Sequence, residues 1–441
     1  AALGEAGWRV SVAASGVDLA AATVLAQPWF ALPQGFSVAG RADVRATASG
    51  RERLLAAAEA ELDLAGFTIA NASGTLATEG IGAMLGAQVR PAAGSRYELD
   101  LRLATRVGQA YADPVYLDFA QLPLEAQARV LAGGTGGLRV ESFVARQPDA
   151  LDVRGSMELD PHAAMPLRSA ELEFATIEFP GAGAYLAPFL ATTSLRNATA
   201  KGVLRGRVAL ADGLPSRVDL LLDGLDVDEP GGALAFTNLR GRVRWYDDPT
   251  RTVVAHDTAP EAEAFTTRIA WDRGRLYGVA LGGAELVLTA SGRAFRLLEP
   301  ALIPVFDGGI AIDTLRMRHI GEPDMWLRLD ARVLPISVAP ISKALGWPEF
   351  GGTIAGTIPS ASLEHDVLTF GGNLEARVFD GRVVASGLRL EHPLGRFPKL
   401  ATSIAVDGLD LQQVTGTFAF GEITGRLSGR IDGLELFEWR P

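Results

Sequence analysis

The chain has 441 residues, no cysteine and a formal net charge of −11, from 52 acidic and 41 basic residues. The chain is longer than a domain with a single hydrophobic core usually is, so several domains or a repetitive architecture are expected. Without cysteine there is no disulfide, thiolate metal site or cysteine nucleophile. Without a basic block, DNA or RNA binding is not expected.

Alternation of apolar and polar residues recurs along the whole chain and predicts β-strands with one apolar and one solvated side. It is clearest over residues 97–107, 153–160, 239–246 and 426–432. The apolar positions in these strands are Leu99, Leu101, Leu103, Val153, Met157, Leu159, Leu239, Val243, Trp245, Leu427 and Ile431.

Helical spacing of apolar residues is rare. It occurs over Leu54–Leu62, Gly183–Leu190 and Pro340–Gly346, and each stretch predicts a helix of two or three turns at a sheet edge.

Asp-Gly pairs occur between apolar runs and predict hairpin turns or strand junctions, because Asp tolerates and Gly favours a positive φ. There are six such pairs, which begin at Asp212, Asp223, Asp307, Asp380, Asp407 and Asp432.

Two internal matches indicate that one strand–turn–strand module is reused. Residues 305–317 match 378–390, and residues 223–243 match 407–427, at offsets of 73 and 184. Since these offsets share no period, a strict solenoid is not expected. The pattern favours one continuous repetitive sheet over residues 1–441 and shows no clean domain boundary.

Motifs for catalysis or metal binding are absent from the sequence. The five histidines are dispersed, and there is no metalloprotease motif, nucleophile elbow or phosphate-binding loop. Asp226–Glu229 resembles a calcium loop only in part, because the spacing to a terminal Glu is missing. No enzyme activity, metal or cofactor is therefore predicted.

The apolar sides of the strands must be covered by a second sheet, by closure into a barrel, or by something that fills a trough. A membrane barrel would carry aromatic girdles, but only 7% of the residues are aromatic. We therefore expect an all-β fold: an elongated, twisted and curved antiparallel sheet forming an open apolar groove, with a few short helices at its edges. The apolar positions given above would line this groove. A dry sandwich core made of the same residues remains an alternative.

Several motifs near the carboxyl end resemble a known family. They are Ala339–Thr353 (APISKALGWPEFGGT), Val378–Gly381 (VFDG), Gly408–Leu411 (GLDL), Val414–Phe418 (VTGTF) and Gly421–Gly429 (GEITGRLSG). The run over residues 327–439 resembles the C-terminal part of the AsmA-like proteins of the Gram-negative cell envelope, in particular the YdbH-type members.

This resemblance implies a taco-shaped β-groove that carries phospholipid or another acyl lipid between the inner and outer membranes. It implies a periplasmic location and an inner-membrane anchor. No stretch of the sequence reaches the roughly 18 apolar residues of a spanning helix. We therefore expect the chain to be a fragment, with the anchor, the true C-terminus and the membrane contacts outside it. The alternative is a non-enzymatic β-sandwich or β-solenoid surface or scaffold protein.

Overall fold

The fold is all-β and antiparallel, with 72% of the described residues in strands and 8% in helices. The computed structural model describes residues 7–26, 35–52, 54–94, 96–133, 137–160, 166–191, 193, 195–247, 266–276, 278–292, 294–319, 325–344, 347–392 and 399–437. Within these ranges, no helix is both long enough and apolar enough to cross a membrane. The chain divides into unit 1 (residues 1–189 and 203–218) and unit 2 (residues 190–202 and 219–441).

Unit 1 is an antiparallel meander. Its elements are β1 (Trp8–Asp18), α1 (Leu19–Ala26), β2 (Ser37–Arg51), β3 (Leu54–Ala70), β4 (Leu76–Ala92), β5 (Arg96–Ala112), β6 (Val115–Asp118), β7 (Glu125–Gly133), β8 (Leu138–Gln147), β9 (Leu151–Leu159), β10 (Leu167–Phe179) and α2 (Gly183–Leu190). The strands pair in the order β1, β2, β3, β4, β5, β7, β8, β9 and β10. The short strand β6 pairs with the end of β5. The division between the units passes through β11 (Thr199–Ala211) and β12 (Leu214–Asp228).

Unit 2 is also a meander, but at several positions in its sheet two short strands take the place of one long strand. The elements are β13 (Leu234–Tyr246), β14 (Thr266–Trp271), β15 (Arg273–Leu276), β16 (Val279–Leu281), β17 (Ala284–Ser291), β18 (Ala294–Leu297), β19 (Ala301–Val305), β20 (Gly308–Arg318), β21 (Trp326–Ser337), α3 (Val338–Ala344), β22 (Thr353–Glu364), β23 (Val367–Thr369), β24 (Asn373–Val378), β25 (Gly381–Glu391), β26 (Lys399–Asp410), α4 (Leu411–Phe418) and β27 (Arg426–Phe437).

The pairing in unit 2 follows the chain. From β13 it runs through β14, β17 and β18 on one half of the sheet, and through β15, β16 and β19 on the other half. Both routes reach β20. The order then continues from β20 to β21 and β22. The short strands β23 and β24 each pair with β22 on one side and β25 on the other, and β25 is followed by β26 and β27.

The four predicted strands and two of the three predicted helices are confirmed. The strands lie in β5, β9, β13 and β27, and Gly183–Leu190 is α2. The helix expected over Pro340–Gly346 begins at Val338 and is described to Ala344, and residues 345 and 346 lie outside the described residues. The helix predicted over Leu54–Leu62 is wrong. These residues open β3, because pairing with β2 and β4 outweighs the helix preference of an Ala-rich stretch.

The Asp-Gly pairs have two different roles. Those at Asp212, Asp307 and Asp380 lie at the β11–β12, β19–β20 and β24–β25 turns. The other three lie inside β12, β26 and β27, where Gly224, Gly408 and Gly433 have φ values of 73°, 66° and 67°. Register shifts in the β26–β27 pairing accompany the last two. The pairs in β26 and β27 therefore form bulges, which bend a strand without ending it.

Buried apolar clusters pack where connections or helices lie against the sheet. In unit 1, Ile81, Ala83 and Phe119 pack together beside the β5–β6–β7 connection. In unit 2, Val338, Val378 and Leu409 form a cluster against which Val414 of α4 packs. Asp410 caps α4, since its carboxylate accepts hydrogen bonds from the backbone N–H groups of the next turn.

Charged residues pair across the strands on the polar side of each unit. Arg154 donates to Glu173 at 2.6 Å, and Arg332 contacts both carboxylate oxygens of Asp313 at 2.9 Å. Hydrogen bonding by Arg154 lowers the pKa of Glu173, and hydrogen bonding by Arg332 lowers the pKa of Asp313. These pairs are exposed, so each contributes little to stability by itself.

Acid should destabilise the fold through these carboxylates. Because their pKa values are lower in the folded than in the unfolded chain, the stability they add is present at neutral pH and is lost as the pH falls through the folded pKa. We expect the thermal unfolding midpoint to be level above about pH 5 and to fall below about pH 4. The midpoint of Asp313→Asn should lie below that of the wild type at pH 7, and the gap should close in acid. A gap that is independent of pH would contradict this assignment.

Gly108 should not tolerate a side chain. It has φ +103°, and a Cβ at this position would lie 2.5 Å from Cα of Ile81. We expect Gly108→Ala to lower the free energy of unfolding by about 1–3 kcal/mol, measured by urea denaturation. Gly183→Ala is the control, because nothing lies within 4 Å of its added Cβ. Equal effects of the two changes would refute the steric explanation.

Candidate functional site: an apolar face in each unit

The register of unit 1 aligns the apolar positions of its strands into continuous rows across the sheet. The middle row is Val12, Ala46, Ala60, Ala87, Leu101, Ala128, Phe143, Gly155 and Leu172. The rows on either side are Ala14, Val44, Leu62, Leu85, Leu103, Ala126, Ala145, Val153 and Phe174, and Val10, Ala48, Ala58, Val89, Leu99, Val130, Val140, Met157 and Ala170. We call these three rows the apolar face of unit 1.

This face is uncharged, and its middle row is not buried, whereas Val130, Val140, Val153 and Ala170 in the flanking rows are. None of the residues of the middle row is buried, and Val12 at the edge is 52% exposed. A dry sandwich core would bury such side chains almost completely. With strands about 4.8 Å apart, the face extends about 38 Å across the sheet, and its three rows cover about 14 Å along the strands.

Unit 2 has an apolar face of the same kind, which we define by three further rows. One row is Met317, Leu327, Leu363, Leu368, Leu390, Leu400 and Leu436. The others are Ile310, Val333, Gly356, Leu374, Ala385, Ile404 and Ile431, and Ile336, Ile354, Ala376, Val383, Val406 and Gly429. The third row leads into the buried cluster beside α4.

Six of the predicted groove residues lie together on the apolar face of unit 1 or at its end. Leu99 and Met157 share one row, Leu103 and Val153 share another, and Leu101 lies in the middle row. Leu159 extends the face toward the β9–β10 turn, where it pairs with Leu138 and Leu167. Val153 is 7% exposed, and the other five are half-buried.

Three more predicted residues lie on β13 in unit 2. Leu239, Val243 and Trp245 are half-buried. The indole Nε1 of Trp245 donates to the backbone oxygen of Gly292 at 2.5 Å, so its polar atom is satisfied inside the sheet. Thr267 on β14 is 1% exposed, and its hydroxyl exchanges hydrogen bonds with the backbone of Arg244.

The last two predicted residues lie on β27. Leu427 pairs with the buried Leu409, and Ile431 pairs with Ile404. Leu427 is 42% exposed and Ile431 is 51% exposed. These side chains have strand neighbours on one side and water above them.

The sequence-based selection missed the alanines of the apolar faces. Ala60, Ala87, Ala126, Ala128 and Ala145 fill the rows between the larger side chains. These alanines alternate with charged residues, as in Ala58-Glu59-Ala60-Glu61-Leu62, and this alternation is the pattern that indicates a strand. Alanine is a weak strand former and a strong helix former, so its presence in an alternating stretch does not by itself indicate a strand.

The opposite side of unit 1 is polar. It holds a hollow of about 640 Å³, lined by residues that include Asp63, Gln88, Arg102 and Glu125. Asp63 forms an ion pair with Arg106 across the strands. Charges of both signs lie side by side here, as is usual for a hydrated strand surface.

The polar motifs noted in the sequence do not converge on one point. Asp226 accepts from the backbone N–H of Asn238, Asp228 pairs with Arg275, and Glu229 accepts from the N–H of Ala233. Within the described ranges, no group of three or more His, Asp or Glu side chains is arranged to hold a metal ion. His319, His365 and His392 lie at strand ends or turns, and His162 and His256 lie outside the described residues.

Comparison with known proteins adds no relative, since no family model, curated protein or solved structure matches this chain.

Aspartate substitutions should distinguish an accessible apolar face from a core. Ile81 is 6% exposed, so Ile81→Asp buries an unpaired carboxylate and should cost more than about 3 kcal/mol of unfolding free energy. Leu101 is accessible, so Leu101→Asp should cost about 1 kcal/mol and leave the circular dichroism spectrum unchanged. If Leu101→Asp unfolds the chain as Ile81→Asp does, the face is a core in solution.

Proposed function

We propose that the apolar faces shelter lipid acyl chains from water, and that the protein is a non-enzymatic carrier of phospholipid in the cell envelope. The observation that supports this most directly is the middle row of unit 1, an uncharged line of apolar positions with no buried member. A soluble protein rarely leaves a continuous apolar surface of this extent without a binding role.

The energetics favour an acyl chain as the occupant. Exposing a 16-carbon tail to water costs about 12 kcal/mol, at about 0.8 kcal/mol for each methylene group. The strip of about 38 by 14 Å is large enough to hold one lipid tail along its long dimension, since a tail spans about 15 Å, or half the bilayer core. Leu, Val, Ala and Gly side chains make no specific polar contacts, so an acyl chain could move along this surface without breaking hydrogen bonds.

The resemblance of residues 327–439 to the AsmA-like proteins supports the finer part of the proposal. On that basis the lipid is a phospholipid, the compartment is the periplasm, and the route lies between the inner and outer membranes. The membrane contacts would be made by other segments or by partner proteins. A surface or scaffold protein is the alternative, and it has no need for accessible apolar rows.

Binding of a phospholipid with a fluorophore on its acyl chain tests the proposal. Leu101→Asp puts a charge in the middle of the apolar face and should weaken binding by about tenfold or more. Gln127→Asp is the matched control. It adds the same charge on the neighbouring strand, where Gln127 is exposed and pairs with Arg102 on the polar side. This variant should bind like the wild type.

Two outcomes would contradict the proposal. One is a folded wild-type protein with no affinity for the labelled lipid, which would favour the scaffold alternative. The other is an equal loss of binding in the two variants, which would assign the effect to net charge and not to the apolar face.

A further inference from the structure

Three arginines lie side by side on the polar side of unit 2. Arg296 on β18 is directly opposite Arg316 on β20, which is directly opposite Arg328 on β21. Opposed residues on neighbouring antiparallel strands have Cβ atoms about 4.5–5.5 Å apart, and like charges in this position destabilise the sheet. The row therefore needs a compensating negative charge.

The described part of the chain does not supply that charge. None of the three guanidinium groups forms a hydrogen bond or an ion pair with another described residue. The nearest carboxylate along β21 is that of Asp330, which accepts a hydrogen bond from Thr314 at 2.5 Å. Arg316 and Arg328 are exposed, and Arg296 is half-buried.

Two other opposed arginine pairs in unit 2 show how such repulsion is normally relieved. Arg242 faces Arg268, and they bind Asp219 and Glu285 respectively. Arg377 faces Arg382, and both contact Glu375. Compared with these pairs, the Arg296–Arg316–Arg328 row has no carboxylate partner among the residues that the structure describes.

Hydroxyl groups continue the row on the next strands. Arg328 is opposite Ser362, and Ser362 is opposite Thr369. Beyond them Arg389 has its own partner, Glu391, at 3.4 Å. The row thus offers three unpaired cations followed by two hydrogen-bonding hydroxyls.

We infer that Arg296, Arg316 and Arg328 form a binding site for a phosphate group. A phosphate has several oxygens that can accept from two or three guanidinium groups at once, whereas a carboxylate has only two. The site lies on the polar side of the sheet and does not depend on what the apolar face binds. The phosphate could belong to a lipid headgroup or be free in solution, and the chemistry of recognition is the same.

Titration calorimetry with inorganic phosphate, at constant ionic strength, tests the site directly. Flotation with phosphatidylcholine vesicles, with and without phosphatidylglycerol, tests the headgroup source. We expect Arg316→Gln to weaken binding by about tenfold in whichever arm the wild type binds. The control is Arg268→Gln, which removes the same charge from an arginine that already has Glu285, and it should change binding by less than about twofold.

Each outcome decides the inference. Binding of inorganic phosphate means that a free phosphate is sufficient. Binding of phosphatidylglycerol vesicles alone means that the ligand is a lipid headgroup. The inference is overturned if the wild type binds neither, or if Arg268→Gln and Arg316→Gln lose binding equally.

A stability measurement guards against a purely structural role. In phosphate-free buffer of low ionic strength, Arg316→Gln should raise the unfolding midpoint because it relieves repulsion in the row. Added phosphate should stabilise the wild type more than the variant. A variant that is less stable than the wild type in phosphate-free buffer would overturn the inference.

Discussion

The structure depends on keeping the apolar side of every strand in phase with its neighbours. Side chains alternate with a period of two, so a slip of one residue would move a whole strand's apolar set to the water side. Where the alternation of apolar and polar residues shifts by one position, a bulge keeps the apolar side chains on the same side of the sheet. Such bulges lie between Ala14 and Val17 in β1 and between Ser386 and Arg389 in β25. The result in each unit is a face of unbroken apolar rows and an opposite side that carries charges of both signs.

The residues that stabilise each sheet differ from those that form the middle of its apolar face. Buried clusters such as Ile81, Ala83 and Phe119 lie where loops or helices pack against the sheet. The middle of the apolar face contributes less burial, because its side chains keep part of their contact with water. The backbone hydrogen bonds between strands and these buried clusters must therefore stabilise the fold, which leaves the middle of the face available for a ligand.

The sequence was sufficient to predict the strands and the side on which their apolar residues lie. Alternation placed Leu99, Leu101 and Leu103 on one side of β5, and the structure agrees. It could not supply the register that joins Leu103 to Val153 across β7 and β8, because pairing depends on turns and bulges far apart in the chain. Nor could it reveal β3 at Leu54–Leu62, where alanine alternates with glutamate in a strand but also favours a helix. The row Arg296–Arg316–Arg328 was equally hidden, since its members are unremarkable until the strands pair.

We propose that the apolar faces hold acyl chains, and mass spectrometry of lipids extracted from the folded protein, purified without detergent, tests this. We expect at least one phospholipid per chain, and we expect it to be lost when Leu101 and Leu327 on the two apolar faces are both replaced by aspartate. A folded wild-type protein that carries no acyl lipid would contradict it.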